Sequence, residues 1–163
     1  MTGDAPPIVV MGVSASGKSS VGEALAARLG IPYVDADDLH PQSNVDKMAA
    51  GVPLTDDDRW PWLDAVAARL AEGPVVVACS ALKRAYRDRL RASAPDTVFV
   101  HLTGDRRVLE ERIADREGHF MPASLLQSQL DTLEDLGSDE AGFALDFAEP
   151  VDELVAQAVE RIG

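Results

Sequence analysis

Residues 8–19 read Ile-Val-Val-Met-Gly-Val-Ser-Ala-Ser-Gly-Lys-Ser, an apolar run followed by a glycine-rich turn. The turn, from Gly12 to Ser19, matches the pattern Gly-x-x-x-x-Gly-Lys-Ser of phosphate-binding loops. The apolar run predicts a buried strand. Apolar residues at helical spacing after the turn predict an amphipathic helix that ends at Gly30. The loop therefore lies between a strand and a helix, as phosphate-binding loops of this pattern do.

The loop predicts a site for the phosphates of a nucleotide. Its backbone N–H groups turn inward around phosphate oxygens, and the following helix adds the positive end of its dipole. We expect Lys18 to reach the β- and γ-phosphates of ATP, and the Ser19 hydroxyl to bind Mg²⁺. Ala15 stands where many such loops carry glycine, and a positive φ there costs alanine about 1 kcal/mol. The predicted nucleotide-binding residues are Gly12, Val13, Ser14, Ala15, Ser16, Gly17, Lys18, Ser19 and Ser20.

Strands and helices alternate along the rest of the chain. Short apolar runs predict further strands at residues 31–35, 75–79, 97–102 and 143–147. Helical patterns lie between them, and this alternation predicts a parallel sheet of about five strands with helices on both faces. The length suits a single domain over residues 1–163. Two irregular stretches, 36–54 and 116–122, predict substrate loops, with a lid around residues 112–123.

Composition and charge argue against several classes of protein. The apolar content of 46% and the charged content of 26% are those of a globular protein. A net charge of -13 makes nucleic acid and anionic lipid poor partners. No run approaches the roughly 18 apolar residues of a membrane helix, and the first residues lack the features of a signal peptide. We expect a cytoplasmic protein with a small-molecule substrate and no nucleic-acid or membrane partner.

Three aspartates, Asp35, Asp37 and Asp38, follow the second predicted strand. Motor ATPases and GTPases usually place an acid after a later strand, but the strand at 75–79 ends in Cys79-Ser80. Small-molecule kinases of the shikimate and nucleoside-monophosphate kind place functional groups at the end of the second strand. There the acids can face both the metal and the acceptor hydroxyl, although a solvated turn remains the alternative.

Several stretches outside the phosphate loop are more specific than the loop itself. Residues 35–41 read Asp-Ala-Asp-Asp-Leu-His-Pro, and residues 56–63 read Asp-Asp-Asp-Arg-Trp-Pro-Trp-Leu. Both resemble the gluconate kinase family, whose signature at the first stretch is Asp-Gly-Asp-x-x-His-Pro. Further similar stretches lie at residues 79–91, 118–122 and 125–134. Ala15 and Ala36 depart from the usual glycines, and the last strand matches poorly.

The resemblance implies the three-layer α/β fold of P-loop kinases, similar to nucleoside-monophosphate kinases. It also implies ATP-dependent phosphorylation of D-gluconate at its terminal hydroxyl, giving 6-phospho-D-gluconate, and a homodimer. The catalytic candidates are Lys18, Asp37 and the lid arginine Arg116, for which Arg112 is the alternative. The magnesium candidates are Ser19 and Asp35, the latter through a water. The substrate-binding candidates are Asp37, His40, Arg59, Lys83, Arg84, Arg87 and His119.

The substrate-binding candidates have structural alternatives. Arg59 could form an ordinary surface pair with Asp58, and His40 could simply cap a turn. Arg84 and Arg87 lie on one predicted helix and need not both face the site. Nine of the 15 lysines and arginines lie between residues 83 and 116, which predicts either a site for a small anion or solvated helix faces.

Two alternative functions also remain open. One is a kinase of another small hydroxy acid such as shikimate, although the glycine-rich turn of that family is replaced here by Cys79-Ser80-Ala81. The other is a nucleotide-binding regulatory protein without transfer activity, against which the lysine, the hydroxyl and the acids of the loop region argue. Dependence of ATP turnover on the acceptor distinguishes all three.

Overall fold

Five parallel strands form a single sheet in the part of the chain that the structure describes. This structure is a computed structural model, and it describes residues 5–115 and 123–162. The strands are β1 (Ile8–Met11), β2 (Tyr33–Asp35), β3 (Val76–Ala78), β4 (Val98–Thr103) and β5 (Gly142–Asp146). Their order across the sheet is β2-β3-β1-β4-β5, and every neighbouring pair is parallel. The predicted parallel sheet is thereby confirmed.

Helices connect the strands and cover both faces of the sheet. They are α1 (Lys18–Leu29), α2 (Gln42–Ala49), α3 (Asp56–Ala71), α4 (Arg84–Ser93), α5 (Arg106–Asp115), α6 (Ala123–Thr132) and α7 (Val151–Ile162). A short 3₁₀ helix, Ala36–Leu39, follows β2 directly. The three-layer α/β fold that the sequence predicts is confirmed by this arrangement.

The central strand β1 supplies side chains to two hydrophobic cores. Ile8 and Val10 pack with apolar residues of α1 and α7 on one face of the sheet. Val9 and Met11 pack with apolar residues of α3 and α4 on the other face. All four side chains are completely buried. A strand buried on both faces gives the continuous apolar run from which it was predicted.

The edge strand β5 has a weaker sequence pattern for a structural reason. Leu145 is buried and Phe143 is partly buried, whereas the residues beside them are more exposed. Leu145 pairs in register with Leu102 of β4. Gly142 is required at the start of the strand, because a Cβ there would lie 2.2 Å from the Phe99 carbonyl oxygen. The weak pattern of this predicted strand therefore reflects its edge position and partial exposure, and the prediction is confirmed.

The carboxyl ends of β1, β2 and β3 meet at one edge of the sheet. In open α/β sheets this edge is where ligands bind. The predicted lid around residues 112–123 lies largely outside the described residues, since α5 is described only to Asp115. Within residues 5–115 and 123–162, no helix is both long and apolar enough to cross a membrane.

Candidate active site

A cavity of about 360 Å³ lies beside the phosphate loop at the carboxyl edge of the sheet. The loop connects β1 to α1, and Asp35 ends β2 level with Ala78 of the intervening strand β3. The sheet thus places the aspartates after β2 opposite the loop. The residues that line this phosphate-loop cavity are Ser14, Ala15, Gly17, Lys18, Ser19, Ser20, Asp35, Asp37, Ala78, Ser80 and Gln129.

The phosphate loop is held in a strained conformation. Ala15 has a φ of 69°, in the left-handed region, as expected for a position at which related loops carry glycine. Gly17, with a φ of 94°, begins helix α1. The Lys18 ammonium donates a hydrogen bond to the Val13 carbonyl oxygen at 3.0 Å, so it folds back over the loop. The lysine therefore lies at the cavity in which phosphates are expected.

Two aspartates after β2 differ in their surroundings. Asp35 accepts a hydrogen bond from the Asp37 N–H at 2.9 Å through Oδ1, which fixes its carboxylate at the start of the 3₁₀ helix. Burial raises the pKa of Asp37, and the negative charge of Asp35 raises it further. A carboxylate with a raised pKa is the better proton acceptor. The raised pKa of Asp37 therefore agrees with its predicted role as a general base.

The donor atoms beside the loop suit a magnesium ion. Mg²⁺ prefers oxygen ligands, and in nucleotide sites it binds one or two protein groups together with phosphates and waters. The Ser19 hydroxyl and the Asp35 carboxylate both line the phosphate-loop cavity. These two oxygen donors fit the predicted magnesium site.

A second cavity of about 260 Å³ adjoins the first and is called here the Arg59 cavity. Its lining residues are Pro53, Leu54, Arg59, Trp62, Ser80, Leu82, Tyr86, Ser128, Gln129 and Thr132. Ser80 and Gln129 line both cavities, so the two spaces share a wall. A molecule in the Arg59 cavity can therefore approach the end of a nucleotide held by the loop.

Asp56 organises a group of charged residues beside the Arg59 cavity, to whose lining Arg59 contributes but Asp56 and Lys83 do not. Its carboxylate accepts hydrogen bonds from Tyr86 at 2.5 Å, Arg59 at 3.2 Å and Lys83 at 3.5 Å. The Arg59 and Lys83 cations also lie 5.7 Å and 5.6 Å from the Tyr86 ring centre. Two cations share one carboxylate, so an anionic ligand finds a net positive charge here. Neither Asp56 nor Tyr86 is a predicted site residue, although both lie in the stretches that carry the family resemblance.

His40 packs in the same region as a neutral ring. It stacks on Trp62 with 4.3 Å between ring centres and 12° between planes. Burial lowers the pKa of His40, Asp37 acts to raise it, and Arg59 lowers it further. The imidazole is therefore uncharged at neutral pH. Trp62 packs against this ring and also lines the Arg59 cavity.

Arg84 and Arg87, predicted to bind substrate, do not reach either cavity. Arg84 forms a two-pronged ion pair with Asp139 at the surface, at 2.9 Å and 2.5 Å. Arg87 is fully buried and donates to both oxygens of Glu140, at 2.8 Å and 3.1 Å. It also donates to the Ala81 carbonyl oxygen at 2.9 Å. Because both guanidinium groups are bound within the protein, we remove them from the set of substrate ligands.

Most of the basic stretch is likewise paired within the protein. Arg89 pairs with Asp64, Arg91 with Glu140, and Arg106 with Glu110. The alternative of solvated helix faces therefore describes most of this stretch better than a single anion site; Lys83, beside Asp56, and Arg112, which contacts the phosphate loop, are the exceptions among the described residues.

Arg112 contacts the phosphate loop and lines a different cavity from Asp35. Its Nη1 donates to the Ala15 carbonyl oxygen at 3.0 Å, and its Nη2 donates to the Phe147 carbonyl oxygen. The adjoining Arg112 cavity has a volume of about 340 Å³ and includes Phe147, Val151 and Leu154. The other two residues predicted near the lid, Arg116 and His119, lie outside the described residues.

Gln129 contacts the phosphate loop from α6. Its Oε1 accepts the Ser14 N–H at 2.7 Å, and its Nε2 donates to the Ser14 hydroxyl at 2.9 Å. No motif in the sequence predicts this contact, which spans 115 residues. The family resemblance at residues 125–134 is the one signal that could have drawn attention to it.

Known proteins resemble this chain over most of its length. Residues 8–136 match a family model described as an AAA domain. A thermoresistant gluconokinase from Escherichia coli (strain K12) is 42% identical over 160 residues, covering 94% of this chain and 91% of the relative. A gluconokinase from Gluconobacter oxydans (strain 621H) is 51% identical over 138 residues, covering 82% and 78%.

Solved structures of kinases also resemble this chain. The crystal structure of a gluconokinase from Sinorhizobium meliloti 1021 has a TM-score of 0.89 and 57% sequence identity, covering 96% of this chain and 91% of that one. A shikimate kinase from Aquifex aeolicus, with a TM-score of 0.61 and 18% identity, shares the fold alone.

Proposed function

Because the chain belongs to the gluconokinase family, we infer that it transfers the γ-phosphoryl group of ATP to gluconate. One structural observation carries the inference beyond the resemblance. The phosphate-loop cavity and the cationic Arg59 cavity share Ser80 and Gln129 as a common wall. A phosphate donor and an anionic acceptor can therefore occupy adjoining spaces.

The nucleotide is held by the loop and the start of α1. Backbone N–H groups of the loop surround the phosphates, and the Lys18 ammonium binds the β- and γ-phosphates. The adenine base of ATP occupies the Arg112 cavity, where the apolar side chains of Val151 and Leu154 can cover it. Ser19 directly, and Asp35 through a water, would hold Mg²⁺, and the bound ion would neutralise charge on the phosphate oxygens.

Gluconate lies in the Arg59 cavity with its carboxylate towards Arg59 and Lys83. The protein carries a net charge of -13, so its overall field repels an anionic acceptor. Local cations must offset that repulsion, and charge-assisted hydrogen bonds to a carboxylate contribute about 1.5–3 kcal/mol each. The hydroxyl end of the acceptor then extends towards the shared wall and Asp37.

Transfer proceeds by in-line displacement at the γ-phosphorus. Asp37 orients the terminal hydroxyl of gluconate and accepts its proton as the new O–P bond forms. The bond from the γ-phosphorus to the β,γ-bridging oxygen breaks, and ADP leaves with the electron pair. Lys18 stabilises the charge that moves onto this oxygen. We assign to Arg116, the predicted lid arginine, the stabilisation of negative charge on the transferring phosphoryl group.

Acceptor dependence of ADP release tests this function. The purified protein is incubated with MgATP alone, with gluconate and with shikimate, in a coupled assay for ADP. We expect turnover with gluconate and none above background in the other two reactions. Turnover with shikimate only would identify a kinase of another hydroxy acid. Turnover without any acceptor would identify an ATP-hydrolysing regulatory protein.

The assembly and location of the protein belong to the same proposal. The family resemblance leads us to expect a homodimer in the cytoplasm with no nucleic-acid partner. Sedimentation of the purified protein tests the dimer directly, since a single species near 17.4 kDa would contradict it.

A further inference from the structure

Asn44 makes two hydrogen bonds through a single atom. The residue lies on α2 and is 1% exposed. Its Nδ2 donates to the Asp58 carbonyl oxygen at 2.9 Å and lies 3.1 Å from His40 Nδ1. An amide nitrogen carries two hydrogens and accepts none. In the second contact Asn44 is therefore the donor and His40 Nδ1 is the acceptor.

The orientation of the Asn44 amide follows from the same contacts. If the amide were rotated by 180°, its oxygen would face the Asp58 carbonyl oxygen, and two acceptors would oppose each other. Asp58 is itself fixed in place. The Lys47 ammonium binds its carboxylate at 2.8 Å, and Thr55 and Asp58 form a capping box at the start of α3. The direction of the hydrogen bond to His40 is thus set by the protein.

The remaining freedom of the His40 ring is removed by stacking. The ring lies on Trp62, and the indole of Trp62 donates to the Ala36 carbonyl oxygen at 2.7 Å. A neutral imidazole carries one proton, and a ring whose Nδ1 accepts a hydrogen bond carries that proton on Nε2. His40 is therefore a pre-oriented hydrogen-bond donor at Nε2.

We propose that Asn44 is a positioning residue that holds His40 in the Nε2-protonated tautomer, so that His40 donates a hydrogen bond to a hydroxyl oxygen of the acceptor. The proposal rests on the proposed function for the identity of the acceptor, a polyhydroxy acid. A hydroxyl oxygen can accept from Nε2–H while its own hydrogen is donated elsewhere. The opposite tautomer would present an unprotonated Nε2, which can only accept, so the hydroxyl would have to turn its hydrogen towards the ring and give up the hydrogen bond that it donates elsewhere.

Nitrogen-15 NMR of the histidine rings tests the tautomer without any substitution. The protein contains three histidines, and the spectrum of His40→Gln identifies the signals of His40. We expect the wild-type ring to carry its proton on Nε2 and none on Nδ1 at neutral pH. A wild-type ring protonated on Nδ1 would overturn the proposal.

Replacement of Asn44 separates positioning from simple packing. Asn44→Leu keeps a similar shape but cannot donate, so the His40 ring should become a mixture of tautomers. KM for gluconate should rise roughly 10-fold, the equivalent of one hydrogen bond, while KM for MgATP stays unchanged. The matched control is Gln42→Leu, which removes another side-chain hydrogen bond of α2, from Gln42 Nε2 to Asp46 at 2.8 Å, without touching His40 or Asp58. It should leave the His40 tautomer and KM for gluconate close to wild type.

A double-mutant cycle decides whether Asn44 acts through His40. In the His40→Gln background, Asn44→Leu should add less than about a two-fold change in KM, because the ring on which it acts is gone. Effects that multiply would overturn the proposal, as would an unchanged tautomer in Asn44→Leu. Failure of the proposed function can be distinguished from failure of this proposal. In the first case the wild-type protein would not turn over gluconate, although the tautomer of its His40 could still be measured.

Discussion

Replacement of Arg87 by methionine should destabilise the fold and leave gluconate binding intact. Arg87 is fully buried, and its guanidinium binds both oxygens of the equally buried Glu140 carboxylate. Methionine fills much of the space but leaves Glu140 without its main partner. Breaking a buried ion pair in this way costs about 3–5 kcal/mol. Arg91 and the Gly137 N–H still bind Glu140, at 2.8 Å and 2.7 Å, so we expect about 3 kcal/mol.

This destabilisation is large enough to measure by calorimetry. For a chain of 163 residues, each kcal/mol lowers Tm by about 2–4 °C. Arg87→Met should therefore lower Tm by about 6–12 °C. KM for gluconate, measured below the transition, should stay within two-fold of wild type, because the side chain lies outside both cavities.

Arg84→Met is the matched control on the same helix. Its ion pair with Asp139 is exposed, and solvent screens such pairs so that they contribute little to stability; Tm should therefore fall by less than about 4 °C. The assignment of Arg87 to the fold would be refuted by a small Tm change together with a roughly 10-fold rise in KM for gluconate. That result would return Arg87 to the substrate site.

Four further substitutions test the active site. Asp37→Asn should lower kcat by about 10²-fold, the lower end for a general base, and wild-type activity should fall as the pH drops through the raised pKa of Asp37. Burial and the charge of Asp35 disfavour the ionised form of Asp37, so Asp37→Asn should also raise Tm at pH 7. This gain should disappear at a pH low enough to protonate the Asp37 carboxyl of wild type. A lower Tm of the variant at pH 7 would contradict the reasoning. Ala15→Gly should relieve the left-handed strain, with a gain in stability of up to about 1 kcal/mol in denaturant unfolding and unchanged ATP affinity by calorimetry; lost ATP binding would contradict it. In wild type we expect kcat/KM for gluconate to exceed kcat/KM for glucose by at least ~10²-fold. Arg59→Ala and Lys83→Ala should each reduce this ratio. If the ratio is unchanged in both variants, other residues bind the carboxylate.

The fold was predictable because its signals are local. The phosphate loop, the apolar runs of β1 and β3 and the glycine at the end of α1 each occur within a few consecutive residues. Even β5 was predicted, from the short run at residues 143–147, although its pattern is weak. Its edge position, rather than a lack of structure, explains the weaker pattern.

The candidate site was predictable only in part, because several of its contacts join distant residues. A sequence gives no sign that Arg87 is buried, since its partner Glu140 lies 53 residues away. Gln129 is 115 residues from the Ser14 that it binds. Asn44 and His40 do show helical i, i+4 spacing, but the Asp58 carbonyl oxygen that orients the amide could be found only in the structure.

Identification of the phosphorylated carbon tests the central claim most directly. Wild-type protein is incubated with MgATP and gluconate, and the product is analysed by correlating its phosphorus signal with neighbouring protons. The account predicts one phosphomonoester, coupled to the terminal methylene protons of gluconate, formed in equal amount to ADP. Lys18→Ala, which should retain the fold but lose at least about 10²-fold in rate, serves as the control. Inorganic phosphate as the main product, or phosphorus on another carbon, would contradict transfer to the terminal hydroxyl.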